Sequence, residues 1–197
     1  PPRVNTNTDL PLIPSQINEL QPTVYSPLGG DNGRRFNRGN IIHKLLQTLP
    51  DLDGKSRRKA AQKYLALDTH KLNRRAQTEI LEETLSVLNH PEFHSLFGCQ
   101  SRAEVALVGR VNDQAISAQI DRLVIEDKRI IIVDYKTNRS PPKDVLQVPE
   151  IYLRQMSAYK TALQDIYPDR EIECLLLWTD GPRLMHLQTE QLAAYSP

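Results

Sequence analysis

Two aspartates and a lysine lie on two neighbouring β-strand candidates in the second half of the chain. Asp121 lies in AQIDRLVI, and IIIVDYKTN holds Asp134 and then Lys136. The intervening residues 126–129 are typical of a hairpin turn. With residues 127–128 as a two-residue loop, residues whose numbers sum to 255 face each other. Asp121 and Asp134 are therefore predicted to be a directly opposed cross-strand pair, with Lys136 on the same face as Asp134.

Two opposed carboxylates repel each other, so such a pair favours a divalent cation between them. A small number of oxygen ligands suits Mg²⁺, with Mn²⁺ as a substitute. A cation at this place would polarise a phosphodiester, while Lys136 would hold the attacking water or neutralise charge on the phosphate. The alternative is an ordinary hairpin whose acids are solvated at a strand end.

The segment that follows this hairpin carries further candidate side chains. Apolar residues recur at spacings of four and three over 150–166, which predicts a helix. Gln155 and Tyr159 are four residues apart and project from one face of it. They could bind a phosphate oxygen or orient Lys136. The alternative is that Tyr159 belongs to the core and Gln155 to the surface.

A second candidate comes from the front of the chain. Residues 38–49 carry an apolar stripe at i, i+3, i+4 and i+7, and Pro50 follows, which predicts a helix ending there. His43 lies beside the stripe, at the boundary between core and cleft, where its imidazole could bind a metal. A lone helical histidine is more often a surface or core residue.

These motifs, in this order, resemble the RecB-type branch of the PD-(D/E)XK nucleases. They comprise Gly39-x-x-x-His43, Asp121, Asp134-Tyr135-Lys136-Thr137 and Gln155-x-x-x-Tyr159. The sequences of segments such as VDYKTNRSPP and YLRQMSAYKTAL are similar to those of the C-terminal nuclease domain of AddA, the helicase-nuclease subunit of bacterial AddAB complexes. The similarity runs from about residue 14 to about residue 187.

The resemblance implies specific roles for the matching residues. The implied metal ligands are His43, Asp121, Asp134 and the backbone carbonyl of Tyr135. The implied catalytic set is Asp121, Asp134 and Lys136. Gln155 and Tyr159 would contact DNA or orient the site, and Glu104 is a further acid before the hairpin. We also expect Arg139, just beyond the catalytic strand, to contact DNA phosphates.

The resemblance also implies an activity and its partners. It predicts a Mg²⁺-dependent exonuclease acting on single-stranded DNA ends, within a helicase-nuclease that repairs double-strand breaks by recombination. The expected partners are DNA, the rest of an AddA chain and an AddB-like subunit, in the bacterial cytoplasm. Two alternatives stay open: a non-catalytic DNA-binding or scaffolding domain with the same fold, and a standalone RecB-family exonuclease.

Composition restricts cofactors and membrane association. Cys99 and Cys174 are the only cysteines, too few for a four-thiolate iron–sulfur cluster, and both are predicted to be buried free thiols. The sequence holds no G-x-x-x-x-G-K-[ST], so ATP would act only through helicase domains outside it. No apolar run approaches the roughly 20 residues of a membrane span. The net charge of +1 does not by itself indicate a nucleic-acid binder.

The elements predict an α/β (α+β) fold with a mixed central sheet flanked by helices, restriction-endonuclease-like, with a helical segment in front. Helices are predicted at 38–49, 55–67, 74–89 and 150–166, and strands at 102–111, 116–125, 129–136, 172–181 and 183–188. Residues 1–30 are predicted to be a Pro-rich arm or linker, typical of a domain cut from a longer protein. Residues 31–197 would form one nuclease domain, helical at about 38–98 and catalytic at about 100–190.

Overall fold

A computed structural model describes residues 32–111 and 114–195. The predicted arm at 1–30 lies outside the described residues. The helices are α1 Asn32–Thr48, α2 Gly54–Leu65, α3 Arg74–Leu88, α4 Glu150–Ile166 and α5 Thr189–Ala193, joined in places by short 3₁₀ turns. The strands are β1 Ser101–Val111, β2 Gln114–Ile125, β3 Arg129–Lys136, β4 Glu171–Trp178 and β5 Arg183–Leu187. No helix in these ranges is long and apolar enough to cross a membrane.

The strands form one mixed sheet in the order β1-β2-β3-β4-β5. β3 and β4 run parallel because α4 connects them as a crossover, while the other neighbours are antiparallel. The predicted α/β architecture with a mixed central sheet is thereby confirmed. β3 and α4 have the predicted bounds, whereas α1 begins six residues earlier than predicted and α5 was not foreseen.

The central strands β3 and β4 are buried on both faces of the sheet. Helices α1–α3 cover one face, where Ile42, Leu45 and Leu46 of the predicted stripe are at most 1% exposed. Helix α4 covers the other face and packs Met156, Tyr159 and Leu163 on the strands. Consecutive residues of β3 therefore point into two different cores, which explains its run of apolar residues without alternation.

The helix boundaries follow local signals. The Asn73 side chain caps the N-terminus of α3 by accepting a hydrogen bond from the Ala76 N–H at 2.9 Å. Asp53 does the same for α2 through the N–H groups of Lys55 and Ser56. α1 stops before Pro50, which has no N–H with which to extend it.

The β2–β3 hairpin has the predicted register. All four ladder pairs, from Ile125–Ile130 to Arg122–Val133, join residues whose numbers sum to 255. The loop is closed by the N–H of Glu126, which donates to the carbonyl of Arg129 at 3.0 Å. The ladder ends at Arg122–Val133, so Asp121 and Asp134 do not form the backbone pair that was predicted.

The expectation of two buried thiols is wrong for one of them. Both cysteines are free, and Cys174 is buried in β4, where burial raises the pKa of its thiol to about 12. Cys99 is exposed because it lies in the turn that precedes β1 rather than within an apolar strand.

Candidate active site

Asp121 lies where the β1–β2 ladder is interrupted. That ladder pairs Ala103 with Arg122 and Val105 with Ile120, and it omits the intervening position, where Glu104 stands opposite Asp121. Glu104 has a positive φ of 53°, a conformation that non-glycine residues rarely adopt. Strain of this kind is concentrated at functional sites.

At the same position, the alternation of side chains between the two cores changes along β2. Ile120 and Leu123 both point to the α4 side, although strict alternation would place residues three apart on opposite faces. Asp121, between them, accepts a hydrogen bond from the N–H of Tyr135 at 2.7 Å through one oxygen. Its other oxygen lies 3.1 Å from Nδ1 of His43 on α1. The structure therefore brings His43 and Asp121 together.

Asp134 and Lys136 lie on the α4 side and are 5% and 6% exposed. The Lys136 ammonium is 2.5 Å from Oδ2 of Asp134 and donates to Oε1 of Gln155 at 3.1 Å. It also lies 3.8 Å from the centre of the Tyr152 ring. Gln155 in turn donates to the hydroxyl of Tyr159 at 2.9 Å. Burial of this depth does not fit the alternative of acids solvated at a strand end.

The two carboxyl groups have pKa values shifted in opposite directions. Burial acts to raise the pKa of Asp121, but the adjacent His43 and the Tyr135 N–H outweigh it and hold that pKa below its ordinary value. For Asp134, burial dominates and raises the pKa, and the charge of Asp121 adds to the rise, despite the opposing charge of Lys136. Such a divergence is typical of acids that have different roles in one site.

His43 responds to the same charges. Burial alone would lower the pKa of its imidazole, but the charge and hydrogen bond of Asp121 raise it above the ordinary value. The ring also meets the Tyr135 ring edge-on, with centroids 5.5 Å apart. His43 is therefore held by a carboxylate on one side and an aromatic ring on another.

A cleft of about 270 Å³ opens beside the His43–Asp121 pair. Its walls are formed by Asn40, His43, Lys44, Gln47, Glu104 and Asp121. Burial, followed by repulsion from Asp121, raises the pKa of Glu104. Glu104 therefore lines the same cleft as His43 and Asp121.

Arg139, the expected contact for DNA phosphates, forms ion pairs within the protein. It is exposed, and it pairs with Glu79 of α3 at 3.2 Å and with Asp180 after β4 at 3.8 Å. Neither Glu79 nor Asp180 belongs to the set around Lys136 or His43. The guanidinium is engaged by carboxylates and would have to exchange them for phosphates in order to bind DNA.

The donors present suit a hard divalent cation. Carboxylate oxygens are preferred ligands of Mg²⁺ and Mn²⁺, and the His43 imidazole adds a softer nitrogen donor. Oδ2 of Asp134 is buried without a hydrogen bond of acceptable geometry, and its neighbour is the Lys136 ammonium. Within the described residues, however, no three His, Cys, Asp or Glu side chains are grouped as a metal cluster. His43 and Asp121 instead contact each other directly.

Sequence reasoning missed three residues at this site. Tyr152 was assigned only to the apolar stripe of α4, although it lies one helical turn before Gln155 and therefore on the same face. Asn138 accepts a hydrogen bond from the Tyr152 hydroxyl at 3.2 Å. Arg122, next to Asp121, is buried beneath the site, and no local pattern marks it.

Comparison with known proteins gives one match over most of the chain. The sequence profile described as the PD-(D/E)XK nuclease superfamily matches residues 19–196. Among solved structures, "Crystal structure of SSO0001" is 16% identical, with 81% of each chain covered and a TM-score of 0.34. Protein VC1899 from Vibrio cholerae is 11% identical over 85% of this chain and 51% of that one, with a TM-score of 0.31. These two likenesses are too distant to carry an argument, and no curated protein matches.

Proposed function

Because this chain belongs to the PD-(D/E)XK nuclease superfamily, we propose that it is a metal-dependent exonuclease acting on single-stranded DNA ends. The observation that carries the proposal is the buried Lys136 ammonium, held by Asp134, Gln155 and the Tyr152 ring beside the His43–Asp121 pair. An enzyme that hydrolyses phosphodiesters needs a fixed positive charge beside acidic metal ligands.

We assign the proposed metal site to His43, Asp121, Asp134 and the backbone carbonyl of Tyr135. A divalent cation held by them, Mg²⁺ with Mn²⁺ as a substitute, would supply Lewis-acid polarisation of the phosphodiester. Asp121 is suited to this role because its lowered pKa keeps it ionised. Glu104 adds a third carboxyl group at the wall of the cleft.

The other residues of the site act through Lys136. Its ammonium would orient the attacking water or neutralise charge on the phosphate. Gln155 holds the ammonium through its amide oxygen, and Tyr159 fixes the amide. Gln155 and Tyr159 therefore act as positioning residues for Lys136.

The proposed biological setting rests on the motif order. The likeness to AddA supports a nuclease module of a bacterial cytoplasmic helicase-nuclease, working with the rest of that chain and an AddB-like subunit in recombinational repair. A motor that delivers unwound strands would compensate for weak DNA binding by this domain, whose net charge is only +1.

The test is cleavage of end-labelled single-stranded DNA with Mg²⁺ or Mn²⁺, compared with EDTA. Asp134→Asn and Lys136→Met should abolish cleavage, because each removes one half of the buried ion pair. The matched controls are Asp127→Asn and Lys128→Met, which make the same chemical changes at the exposed tip of the same hairpin. Both controls should cleave like the unmodified protein.

Comparing circular with linear single-stranded DNA distinguishes the exonuclease from the alternative functions. An exonuclease should spare circular single-stranded DNA and degrade the same sequence when linear. Cleavage of both forms would contradict the exonuclease assignment, and DNA binding without any cleavage would favour the scaffolding alternative. Mn²⁺ titration of the unmodified protein and Asp134→Asn then shows whether a metal site is present in the absence of activity.

A further inference from the structure

Arg122 is a buried cation with neutral partners. The residue is 3% exposed, and among the described residues it forms no ion pair with a carboxylate. Burying a charge without a counter-charge is unfavourable unless hydrogen bonds satisfy it. The hydrogen bonds that its guanidinium donates therefore have to stabilise the buried charge.

Those groups belong to three different elements. Nε donates to the hydroxyl of Tyr135 on β3 at 2.6 Å, and one terminal nitrogen donates to the carbonyl of Leu46 on α1 at 2.7 Å. The other terminal nitrogen donates to the hydroxyl of Ser101 on β1 at 2.8 Å. The Phe97 ring covers the guanidinium, 4.7 Å from its central carbon.

The bond to Leu46 has a cause in the sequence. In a helix, that carbonyl would accept from the N–H four residues later, but the residue there is Pro50, which has none. Leu46 is fully buried, so water cannot replace the missing donor. Arg122 supplies it and thereby attaches the end of α1 to β2.

Two of the three bonds, those to Leu46 and Tyr135, connect Arg122 to the site. Leu46 lies three residues after His43 on α1, so it is on the same side of the helix. Tyr135 lies between Asp134 and Lys136, and its ring meets the His43 ring edge-on. Arg122 itself follows Asp121, the hydrogen-bond partner of His43.

We propose that Arg122 is a positioning residue that holds His43 against Asp121 through the Leu46 carbonyl and the Tyr135 ring. The proposal rests on the function proposed above, for which His43 and Asp121 are metal ligands. Arg122 does not itself face the cleft. It fixes the separation of the helix and the hairpin that supply the ligands.

The test compares Tyr135→Phe and Arg122→Met with Arg57→Met. Tyr135→Phe removes one oxygen and leaves the ring, so it remains informative even if Arg122→Met does not fold. Arg57 is the matched control because it also donates to backbone carbonyls near the end of α1, those of Pro50 and Leu52, and none of its bonds reaches a strand. Thermal unfolding establishes that each variant is folded.

Two readouts are measured. The first is kcat and KM for cleavage of linear single-stranded DNA. We expect kcat to fall about 10- to 100-fold in the two test variants, with KM changed less than about twofold, because small misplacements of reacting groups lower rates by such factors. The second is the NMR cross-peak of the His43 ring in EDTA at one pH, assigned among the five histidines with His43→Gln. It should move in both test variants and stay in place in Arg57→Met.

The outcomes are separable from those of the proposed function. If the test variants are folded but kcat and the His43 cross-peak are unchanged, Arg122 is only structural and the inference is overturned. If the unmodified protein cleaves no DNA, the proposed function fails, and the cross-peak alone decides on Arg122. An unmoved cross-peak then overturns the inference, and a moved one supports it.

Discussion

Lys136 is fixed by three chemically different neighbours, a carboxylate, an amide and an aromatic face. The ring of Tyr152 has an attraction for the ammonium that does not depend on the Tyr152 hydroxyl. The hydroxyl has a separate partner in Asn138. Ring and hydroxyl can therefore be tested independently.

Tyr152→Leu should lower kcat by roughly 2- to 30-fold, the equivalent of a cation–π interaction of about 0.5–2 kcal/mol. Tyr152→Phe should retain most activity because the ring stays over Lys136. Single-turnover cleavage of DNA is the measurement. Tyr167→Leu, which removes the ring beside Arg170 at the end of α4, is the control. Equal losses in the Phe and Leu variants would show that the hydroxyl, not the ring, is the important group.

His43 should make a pH-dependent contribution to stability. Its pKa is raised in the folded protein, with burial opposed by the charges of Asp121 and Asp134 and assisted by that of Lys136. A raised folded pKa means that the stabilisation is fully present below the unfolded value, about 6.5. It is lost as the pH rises through the folded value.

The measurement is the free energy of unfolding of the unmodified protein and of His43→Gln in EDTA from pH 5 to 9. The unmodified protein should have its greatest advantage at the acidic end, and the advantage should shrink as the pH rises. His186→Gln, on an exposed position of β5, controls for the loss of a histidine as such. An advantage that grows with pH would contradict the assigned direction.

Helix α1 approaches the end of β3 very closely, and this contact places His43. A Cβ atom on Gly39 would lie 3.0 Å from Oγ1 of Thr137. Arg38 adds a bond to the Thr137 carbonyl at 2.9 Å and an ion pair with Glu83 of α3. The backbone of Gly39 is helical, so it does not itself require glycine. The glycine of the G-x-x-x-H motif is instead required because a side chain at this position would have no space.

Gly39→Ala should push α1 away from β3 and lower kcat about tenfold, although alanine is favoured in helices by about 1 kcal/mol. Removing the obstacle in Gly39→Ala/Thr137→Ala should restore most of the loss. The cleavage rate and the unfolding temperature are both measured. Gly54→Ala is the control, since a Cβ there meets nothing within 4 Å. Failure of the double variant to recover would remove the steric explanation.

The whole molecule is built around a sheet whose central strands, β3 and β4, are buried on both faces. Ile131 and Ile132 are adjacent on β3, and they point into the cores beneath α1–α3 and α4, respectively. The surface, by contrast, is largely charge-balanced. Arg58, Arg75 and Arg154, for example, all form ion pairs with glutamates.

Ile131→Ala and Ile132→Ala should each lower the free energy of unfolding by about 2–5 kcal/mol, because each leaves a cavity in a packed core. Val108→Ala, on a side chain that is 75% exposed, should change it by less than about 0.5 kcal/mol. Denaturant titration with two spectroscopic probes is the measurement. One coincident transition is expected if residues 31–197 form a single domain, and two separate transitions would contradict that prediction.

The sequence by itself determined the elements and their local registers. The hairpin sum of 255, the bounds of β3 and α4, and the stripe on α1 depend on contacts between residues close in sequence, whose signals are periodicity and turn chemistry. The spacing of Gln155 and Tyr159 on one helical face was determined in the same way. These features needed no knowledge of how the elements pack.

Only the tertiary structure decided how those elements meet. Asp121 meets His43 opposite the strained backbone at Glu104, and the rings and bonds around Lys136 and Arg122 join residues far apart in the chain. Such contacts depend on the packing of α1 and α4 against opposite faces of one sheet. Periodicity assigns a residue to a face of its own element but does not determine which partner from another element that face will meet.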